Sequence, residues 1–429
     1  MVNKVPEGWK PAVISEIADI NPKRSLPRSG EIPYLEMAAL STESPSPHYL
    51  GTKAAGAGGS KFTNGDTLVA RITPCAENGK GAFVQCLPEG QNGVGSTEFI
   101  VLSAKPNITE PKYIYYLTKR PDIRHYTINR MRGTSGRQRI PYSVFDEISI
   151  DVPPLPEQNK ITAILSSVDE AIEATEAVIE QTRTVKKGLL QELLTRGIGH
   201  TEFKKTAIGE IPKSWAVKQV RETGDVQLGR QRSPNFTEGN TLPYLRVANV
   251  YDGYIDYTDV KEMKFTSDET KQYSLLPGDV LLNEGQSIDL VGRSSIYDGM
   301  IFDTCCFQNT LIRYRAGTNS TPEFMQAVFS YLQYSGVFSS IATQTTSVAH
   351  LGGTRFSKLK IPVPPKYEQI EIARTLNSIN NKTNNKTLKQ LQILKRGLLQ
   401  DLLTGKVRVN TLDLPALLNA EAPAEALAE

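Results

Sequence analysis

The stretch Glu157–Thr195 constrains this chain more than any other. It reads EQNKITAILSSVDEAIEATEAVIEQTRTVKKGLLQELLT, holds no proline, and has Gly188 as its one glycine. Apolar or small residues recur at Ile161, Leu165, Val168, Ile172, Thr175, Ile179, Thr182, Val185, Leu189 and Leu193. Steps of four and three alternate along this series, with one extra three near the end, which is a heptad seam, and such a seam wants a partner helix. At ~1.5 Å per residue the stretch makes a rod of roughly 58 Å, longer than a small globular domain can use.

The partner is expected in the same chain. A second copy runs from Glu368 to Thr404, where KRGLLQDLLTG answers the first copy's KKGLLQELLTR. Each copy follows a proline stop, Val152-Pro153-Pro154-Leu155-Pro156-Glu157-Gln158 and Val363-Pro364-Pro365-Lys366-Tyr367-Glu368-Gln369. The middle of the second copy is more polar, with Asn380, Thr383 and Lys386, and is expected to pack less tightly. The repeat extends outside the helices. Val5-Pro6-Glu7-Gly8-Trp9 answers Ile211-Pro212-Lys213-Ser214-Trp215, Ile32-Pro33-Tyr34-Leu35 answers Leu242-Pro243-Tyr244-Leu245, and Gly65-Asp66-Thr67-Leu68 answers Gly278-Asp279-Val280-Leu281. The 429 residues therefore read as two diverged units, each a globular part followed by a long helix. The expected boundaries are 1–151, a helix within 152–199, a second globular part over 200–363, a second helix within 364–408, and a flexible Ala/Glu-rich tail over 409–429.

Within the first globular part, Thr67–Ile72, Gly81–Gln85, Thr97–Leu102 and Ile148–Val152 read as short strands, and Pro111–Lys119 as a helix with a tyrosine face. In the second, Leu242–Val247, Val280–Asn283, Ser294–Tyr297 and Thr310–Tyr314 read as strands and Pro322–Gln333 as the matching helix. The fold class is α+β: two mixed α/β parts and two long helices paired as an antiparallel coiled coil, with a pseudo-twofold repeat.

Searches for chemistry of the chain's own fail. There is no H-E-x-x-H, no G-x-S-x-G and no phosphate-binding G-x-x-x-x-G-K-[ST]. The Pro-Pro pairs lack the Asn or Asp that an amino methyltransferase would need before them. His48, His125, His200 and His350 stand in no metal-ligand spacing, so neither a catalytic residue nor a metal ligand is assigned. Cys75, Cys86, Cys305 and Cys306 suit neither a disulfide framework nor a zinc site and read as reduced, buried thiols of a cytosolic protein. No apolar run reaches the length of a membrane span. A net charge of +3 says little about nucleic acid, so any basic surface must be local.

Such a surface has a candidate. Lys119, Arg120, Arg124, Arg130, Arg132, Arg137 and Arg139 face one acid, Asp122, within 119–139. At its centre, Arg130, Arg132, Ser135, Arg137 and Gln138 lie on a loop that Gly133 and Gly136 free. Arg and Gln can bond base edges bidentately, and Arg also takes phosphate. The equivalent place in the second unit, 343–350, offers Thr346, Ser347 and His350 with much less charge, as two readers of different sequences would. Further DNA-binding candidates are Lys53, Lys61, Arg71 and Lys80, and in the second unit Arg230, Arg232, Arg246, Asn283, Gln286 and Arg293. Gly188 and Gly397 each cost roughly 1 kcal/mol against alanine inside a helix, yet stand at the same place in both copies. Close helix approach or a docked partner would explain them. Gly188, Leu189, Gln191, Gly397, Leu398 and Gln400 are the partner-binding candidates.

The chain resembles a specificity subunit of a type I restriction-modification system. The resemblance covers nearly all of it and rests on the order globular–helix–globular–helix, the two Pro-Pro-…-Glu-Gln motifs and the paired GLLQ-E/D-LLT endings. It implies two target recognition domains, each reading half of a bipartite site in double-stranded DNA. It also implies that two adenine-N6 modification subunits and the restriction subunits dock on this chain. S-adenosylmethionine, ATP and magnesium would belong to those partners, and this chain would carry no cofactor and perform no chemical step. The rival readings are a coiled-coil scaffold without DNA specificity, and a DNA methyltransferase or nuclease with an unrecognised site.

Overall fold

The computed structural model describes residues 5–56, 58–134, 136–233, 237–344, 347–379 and 382–410, with the side chains of 382–384 left aside. Five helices organise it: α1 (Pro111–Lys119), α2 (Leu155–Thr195), α3 (Pro322–Tyr334), α4 (Lys366–Ser378) and α5 (Lys382–Leu403). Four strands carry the sites discussed below: β1 (Asp66–Ala70), β2 (Phe99–Ala104), β3 (Val280–Asn283) and β4 (Leu311–Ala316). The chain divides into two compact units, 1–178 with 384–429, and 179–383. The single helix α2, 41 residues long, contributes its first part to one unit and its last part to the other.

In the first unit β1 and β2 pair antiparallel at the centre of a four-stranded sheet, flanked by Ala18–Ile20 and Gly81–Phe83. Alternation along the strands divides their side chains between two cores, as a period of two requires. Ile100 and Leu102 face the helices, while Leu68, Phe99 and Val101 face a second sheet built around Glu31–Leu35. The helical core joins Tyr113, Tyr115 and Tyr116 of α1, Ile161 and Leu165 of α2, and Leu399, Leu402 and Leu403 of α5. Helix α5 runs antiparallel to α2 here. Further along, buried Lys395 Nζ lies 2.5 Å from buried Asp169 Oδ1 and donates to Glu43 O at 2.6 Å. Tyr116 Oη donates to the other Asp169 oxygen at 2.7 Å.

The second unit repeats this plan. β3 and β4 pair antiparallel inside a four-stranded sheet with Gly224–Leu228 and Ser294–Ile296. Leu281 and Leu311 face one core, and Val280, Leu282, Ile312 and Tyr314 the other. Phe324, Val328, Phe329 and Leu332 of α3 complete that second core with Leu190, Leu193 and Leu194 of α2 and Ile372 and Leu376 of α4.

The Pro-Pro-…-Glu-Gln motif now has a physical reading. The prolines end a strand, Ser149–Val152 or Lys360–Val363, and admit a helix whose first turn buries its Glu-Gln pair. Buried Gln158 accepts from Glu110 N at 3.0 Å and donates to Ile108 O and Pro153 O. Gln369 does the same with Thr321 N, Asn319 O and Pro364 O. Glu110 and Thr321 are the N-caps of α1 and α3, so each glutamine ties one helix start to another. The glutamate beside each glutamine closes a clasp. Trp9 Nε1 donates to Glu157 Oε2 at 3.0 Å, and Arg408 grips the same carboxylate through two bonds of 2.8 and 2.9 Å. Trp215 Nε1 donates to Glu368 Oε2 at 2.9 Å, with His200 Nε2 2.8 Å from the other oxygen. Each clasp needs a tight reversal after a helix end, which Gly405 (φ +68°) and Gly197 (φ +67°) supply. A Cβ at Gly197 would lie 2.6 Å from the Glu368 carboxylate.

Three expectations are corrected. The second helical copy is not one rod: α4 ends at Ser378, Ile379 leaves helical backbone (φ −91°, ψ 83°), and α5 begins at Lys382. Asn380 of the polar middle and residues 411–429 of the tail lie outside the described residues. The heptad seam fails at Val185, which is 58 % exposed, and burial resumes at Leu190; α2 meets different neighbours in the two units, so no single stripe serves its whole length. The cysteines are free, but Cys75 is half-buried and Cys86 exposed; only Cys305 and Cys306 are buried.

Replacing Glu157 by alanine should destabilise the first unit by about 3 kcal/mol, because it strands Arg408 and the Trp9 indole N–H. Glu157→Gln, which retains an acceptor for Trp9, should cost less. Urea unfolding followed by Trp9 fluorescence in a Trp215→Phe background measures both.

Candidate nucleic-acid interface

Sequence proximity suggested one basic surface over 119–139; the folded chain divides it. Lys119 is half-buried beside α5, donating to Gly79 O at 2.8 Å and Thr42 O at 3.1 Å. Burial, then the Lys395 and Arg124 cations, pull its amine down to about 7. Arg120 is buried, paired with Asp122 and donating to Leu403 O at 2.9 Å. Arg124 donates to Glu77 O. These three bases hold the domain together. Arg130 stacks over Tyr126 (3.3 Å to the ring centroid) and pairs with Glu147 at 2.9 Å. Arg132 and Arg137 are exposed, beside half-buried Gln138. Ser135 lies outside the described residues.

What the fold brings together instead is the end of the central strand. Just past β1, Arg71 N donates to Glu98 O at 3.0 Å, and Ile140 N donates to Arg71 O at 2.8 Å. Three segments remote in sequence thus converge on Arg71. Arg139 forks onto both Glu98 oxygens at 2.8–3.1 Å. That fork holds the Glu98 carboxyl below the usual carboxylate range against a smaller opposing effect of burial. The Arg71 guanidinium lies 4.0 Å from the Tyr142 ring centroid, a cation–π contact. Arg132 pairs across an isolated bridge with Arg139, so the exposed loop arginines stand next to this strand end.

The second unit has the same backbone there. Glu284 N donates to Thr310 O at 2.9 Å, and Leu351 N donates to Glu284 O at 2.8 Å. Ala70 N bonds Lys80 O in one unit and Asn283 N bonds Arg293 O in the other. Thr343 pairs with His350 as Arg132 does with Arg139. Position by position, Arg71, Glu98, Arg139 and Lys80 correspond to Glu284, Thr310, His350 and Arg293. The side chains differ throughout: His350 Nδ1 lies 3.0 Å from Glu284 Oε2, and among the described residues no guanidinium forks onto that carboxylate.

The remaining candidates separate. Lys80 and Arg293 sit at equivalent places; Lys80 Nζ donates to Met37 O at 3.2 Å, and Arg293 lies over the Tyr251 ring, itself stacked on Tyr254 at 4.9 Å. Gln286 lies on the short strand Gly285–Gln286, paired with Ala349, exposed Ser347 lies close by in sequence, Arg232 is exposed, and Thr346 is outside the described residues. Lys61 is exposed on Ser60–Phe62, in the other sheet, and Lys53 covers the Tyr34 ring. Arg230 is corrected to a structural role: it is 5 % exposed, paired with Glu269 at 2.7 Å and packed over Phe265. Arg246 is spent on Asp259 at 2.5 Å, and buried Asn283 donates to Val250 O. Gly188 and Gly397 are not sites of close helix approach, since a Cβ on either would meet nothing within 4 Å. Gln191 and Gln400 are exposed with them, while Leu189 and Leu398 are half-buried at the core edge.

A family model described as "Type I restriction modification DNA specificity domain" matches this chain twice, over residues 6–182 and 212–395. The chain belongs to that family. The MjaVIII specificity subunit of Methanocaldococcus jannaschii is 30 % identical over 335 residues, 76 % of each chain. The putative MjaX specificity subunit of the same organism is 30 % identical over 376 residues, 81 % of this chain and 79 % of that one. The EcoKI specificity subunit of Escherichia coli is 24 % identical over 74 % of this chain and 70 % of its own length. The fold is shared with a solved chain from a study of type I R-M assembly and conformational transition, at a TM-score of 0.54 and 19 % identity over 94 % of this chain and 100 % of that one. It is also shared with the type I S subunit of M. genitalium, at 0.53 and 16 % identity over 94 % and 98 %. As a type I specificity subunit the chain is the non-catalytic component, and its part is DNA sequence recognition. No helix among the described residues is long and apolar enough to cross a membrane.

Glu98, Tyr142 and Glu284 were not singled out from the sequence, and Arg139 was counted only within the basic run over 119–139. Aligning GDTLVARI with GDVLLNEG would have set Arg71 against Glu284, but only the hydrogen bonds bring 98 and 139–142 to the same place.

The Lys119 amine has a pH signature. Its folded value near 7 lies below the ordinary lysine value of about 10.4, so between those limits the unfolded chain binds more protons. The cost of charging the buried amine is fully present below pH 7 and is relieved as pH rises toward 10. Urea unfolding of the first unit should show stability increasing over that window, and Lys119→Met should flatten the increase.

Proposed function

We propose that this specificity subunit recognises a bipartite DNA target, with residues 1–151 and 200–363 as the two target recognition domains. One observation carries this reading: the same backbone frame occurs in both repeats, with different side chains at its strand end. Two copies of one reader with unlike surfaces suit a target made of two unlike half-sites. In the first domain exposed Arg132 and Arg137 serve phosphate and groove contacts, with Gln138 and Arg71 beside them; in the second, Gln286, Arg293, Ser347 and His350 occupy the corresponding segments. The long helices set the spacing. A rod of roughly 58–60 Å spans somewhat more than one and a half turns at about 34–36 Å per turn, so the bases between the half-sites go unread.

The same subunit serves as the scaffold for modification and restriction subunits, with two modification subunits per complex. The Gly188-Leu189-Leu190-Gln191 and Gly397-Leu398-Leu399-Gln400 faces support this role. In each, the inner leucine closes a core while glycine and glutamine stand open. Exposed Val185, Ile393 and Leu394 widen the apolar surface nearby. S-adenosylmethionine, ATP and magnesium act in the partner subunits.

Sequencing methylated adenines in cells expressing the complete system tests the reading; methylation without a two-part motif refutes it. Exchanging residues 1–151 for those of another family member should change one half-site and leave the other intact. Replacing Arg132 and Arg137 by alanine should weaken binding and lower the slope of log K against log salt by about one unit per lost phosphate contact. An unchanged slope removes that loop from the phosphate backbone.

A further inference from the structure

The two strand ends carry opposite charge in one backbone frame. Position 71 is arginine and its counterpart 284 is glutamate, each fixed by the same pair of main-chain hydrogen bonds. Resting on the reading of these domains as DNA readers, we propose that this position discriminates one base in each half-site: Arg71 takes guanine, and Glu284, set by His350, takes a base that offers an exocyclic amine, cytosine N4 or adenine N6.

The charge of Glu284 narrows its ligand. A carboxylate is repelled by phosphate, so at a DNA surface it has no use as a backbone contact. The hydrogen-bond donors that base edges show in the major groove are cytosine N4 and adenine N6. The Glu284 side chain is 14 % exposed and that of His350 47 %, so the carboxylate sits at a lip, with one oxygen engaged by the imidazole and the other able to accept. Thr310, which replaces Glu98, has its hydroxyl committed to Val247 N at 3.2 Å. Among the described residues no guanidinium forks onto Glu284 as Arg139 does onto Glu98; neighbouring Arg355 donates instead to His350 O at 2.8 Å and Leu351 O at 3.1 Å.

Arg71 presents the complementary chemistry. Arg139 is already forked onto Glu98, whereas the Arg71 guanidinium is held by the Tyr142 face, and its Nε is buried without a hydrogen-bond partner. Among the described residues none accepts a hydrogen bond from it. A planar guanidinium steadied by a ring is suited to the paired acceptors O6 and N7 of guanine.

The test is selection from a randomised duplex library by the full chain in complex with its modification subunits, followed by sequencing. If the wild-type complex selects no two-part motif, the reading of the domains as half-site readers fails, independently of this proposal. Given such a motif, Glu284→Ala should reduce discrimination at a single cytosine or adenine of one half-site by about 5- to 150-fold. Cytosine or adenine at that position tells the two amines apart. Glu284→Arg should turn that position toward guanine. Arg71→Ala should relax one guanine in the other half-site. Glu284→Gln keeps the shape of this half-buried group, and thermal melting of every variant reports on folding. Motifs unchanged at every position, affinity lowered equally for all sequences, or a Glu284→Gln variant that loses its fold would each overturn the proposal.

Discussion

The buried carboxylate at the start of each long helix is the contact on which each unit depends. A charge taken out of water is costly unless it is paired and hydrogen-bonded. Glu157 meets that requirement with two partners drawn from places remote in sequence: the Trp9 indole before the first strand, and Arg408 beyond the last helix, which donates through both Nε and Nη2. Glu368 meets it with Trp215 and His200. In each unit the end of one helical copy is thereby held to the beginning of the other. The neighbouring glutamine, satisfied on both its oxygen and its nitrogen, joins that junction to the cap of the helix behind the sheet. A six-residue motif can therefore order an entire unit.

The two clasps are equivalent in geometry but not in chemistry. A guanidinium is permanently charged, whereas the imidazole of His200 carries charge only when protonated. The buried Asp169–Lys395 pair extends the asymmetry, since in the sequence the repeat aligns an uncharged asparagine, Asn380, with Asp169. Duplication supplied a common frame, and the polar groups within it have diverged. The strand ends show the same history at the surface: identical main-chain bonds hold Arg71 in one copy and Glu284 in the other.

Much of this was legible in the chain itself. Heptad spacing located α2, proline pairs marked where strands give way to helices, and matching segments at Trp9 and Trp215 exposed the repeat. The eight strands read from the sequence fell near where β-branched runs suggested, most of them because they are buried and carry a plain apolar signal; strands without a buried residue, such as Gly51–Ala54 and Phe203–Thr206, were not read. The helix break after Ser378 was visible as a polar middle but not as an end, because no proline or glycine marks it. Among the site residues, the basic run was the least faithful guide. Counting charges along 119–139 could not tell Lys119, Arg120 and Arg124, which face protein, from Arg132 and Arg137, which face solvent.

By itself the sequence determined the repeat, the fold class, the family and the absence of any recognisable catalytic motif, since each is written in spacing and residue type along the chain. Tertiary structure alone decided which charges are spent. An arginine's availability depends on the acceptors that lie within about 3 Å of it, and those come from segments tens to hundreds of residues away. Glu98 reaches Arg139, Glu269 reaches Arg230 and Glu157 reaches Arg408 only after the sheets and helices have formed.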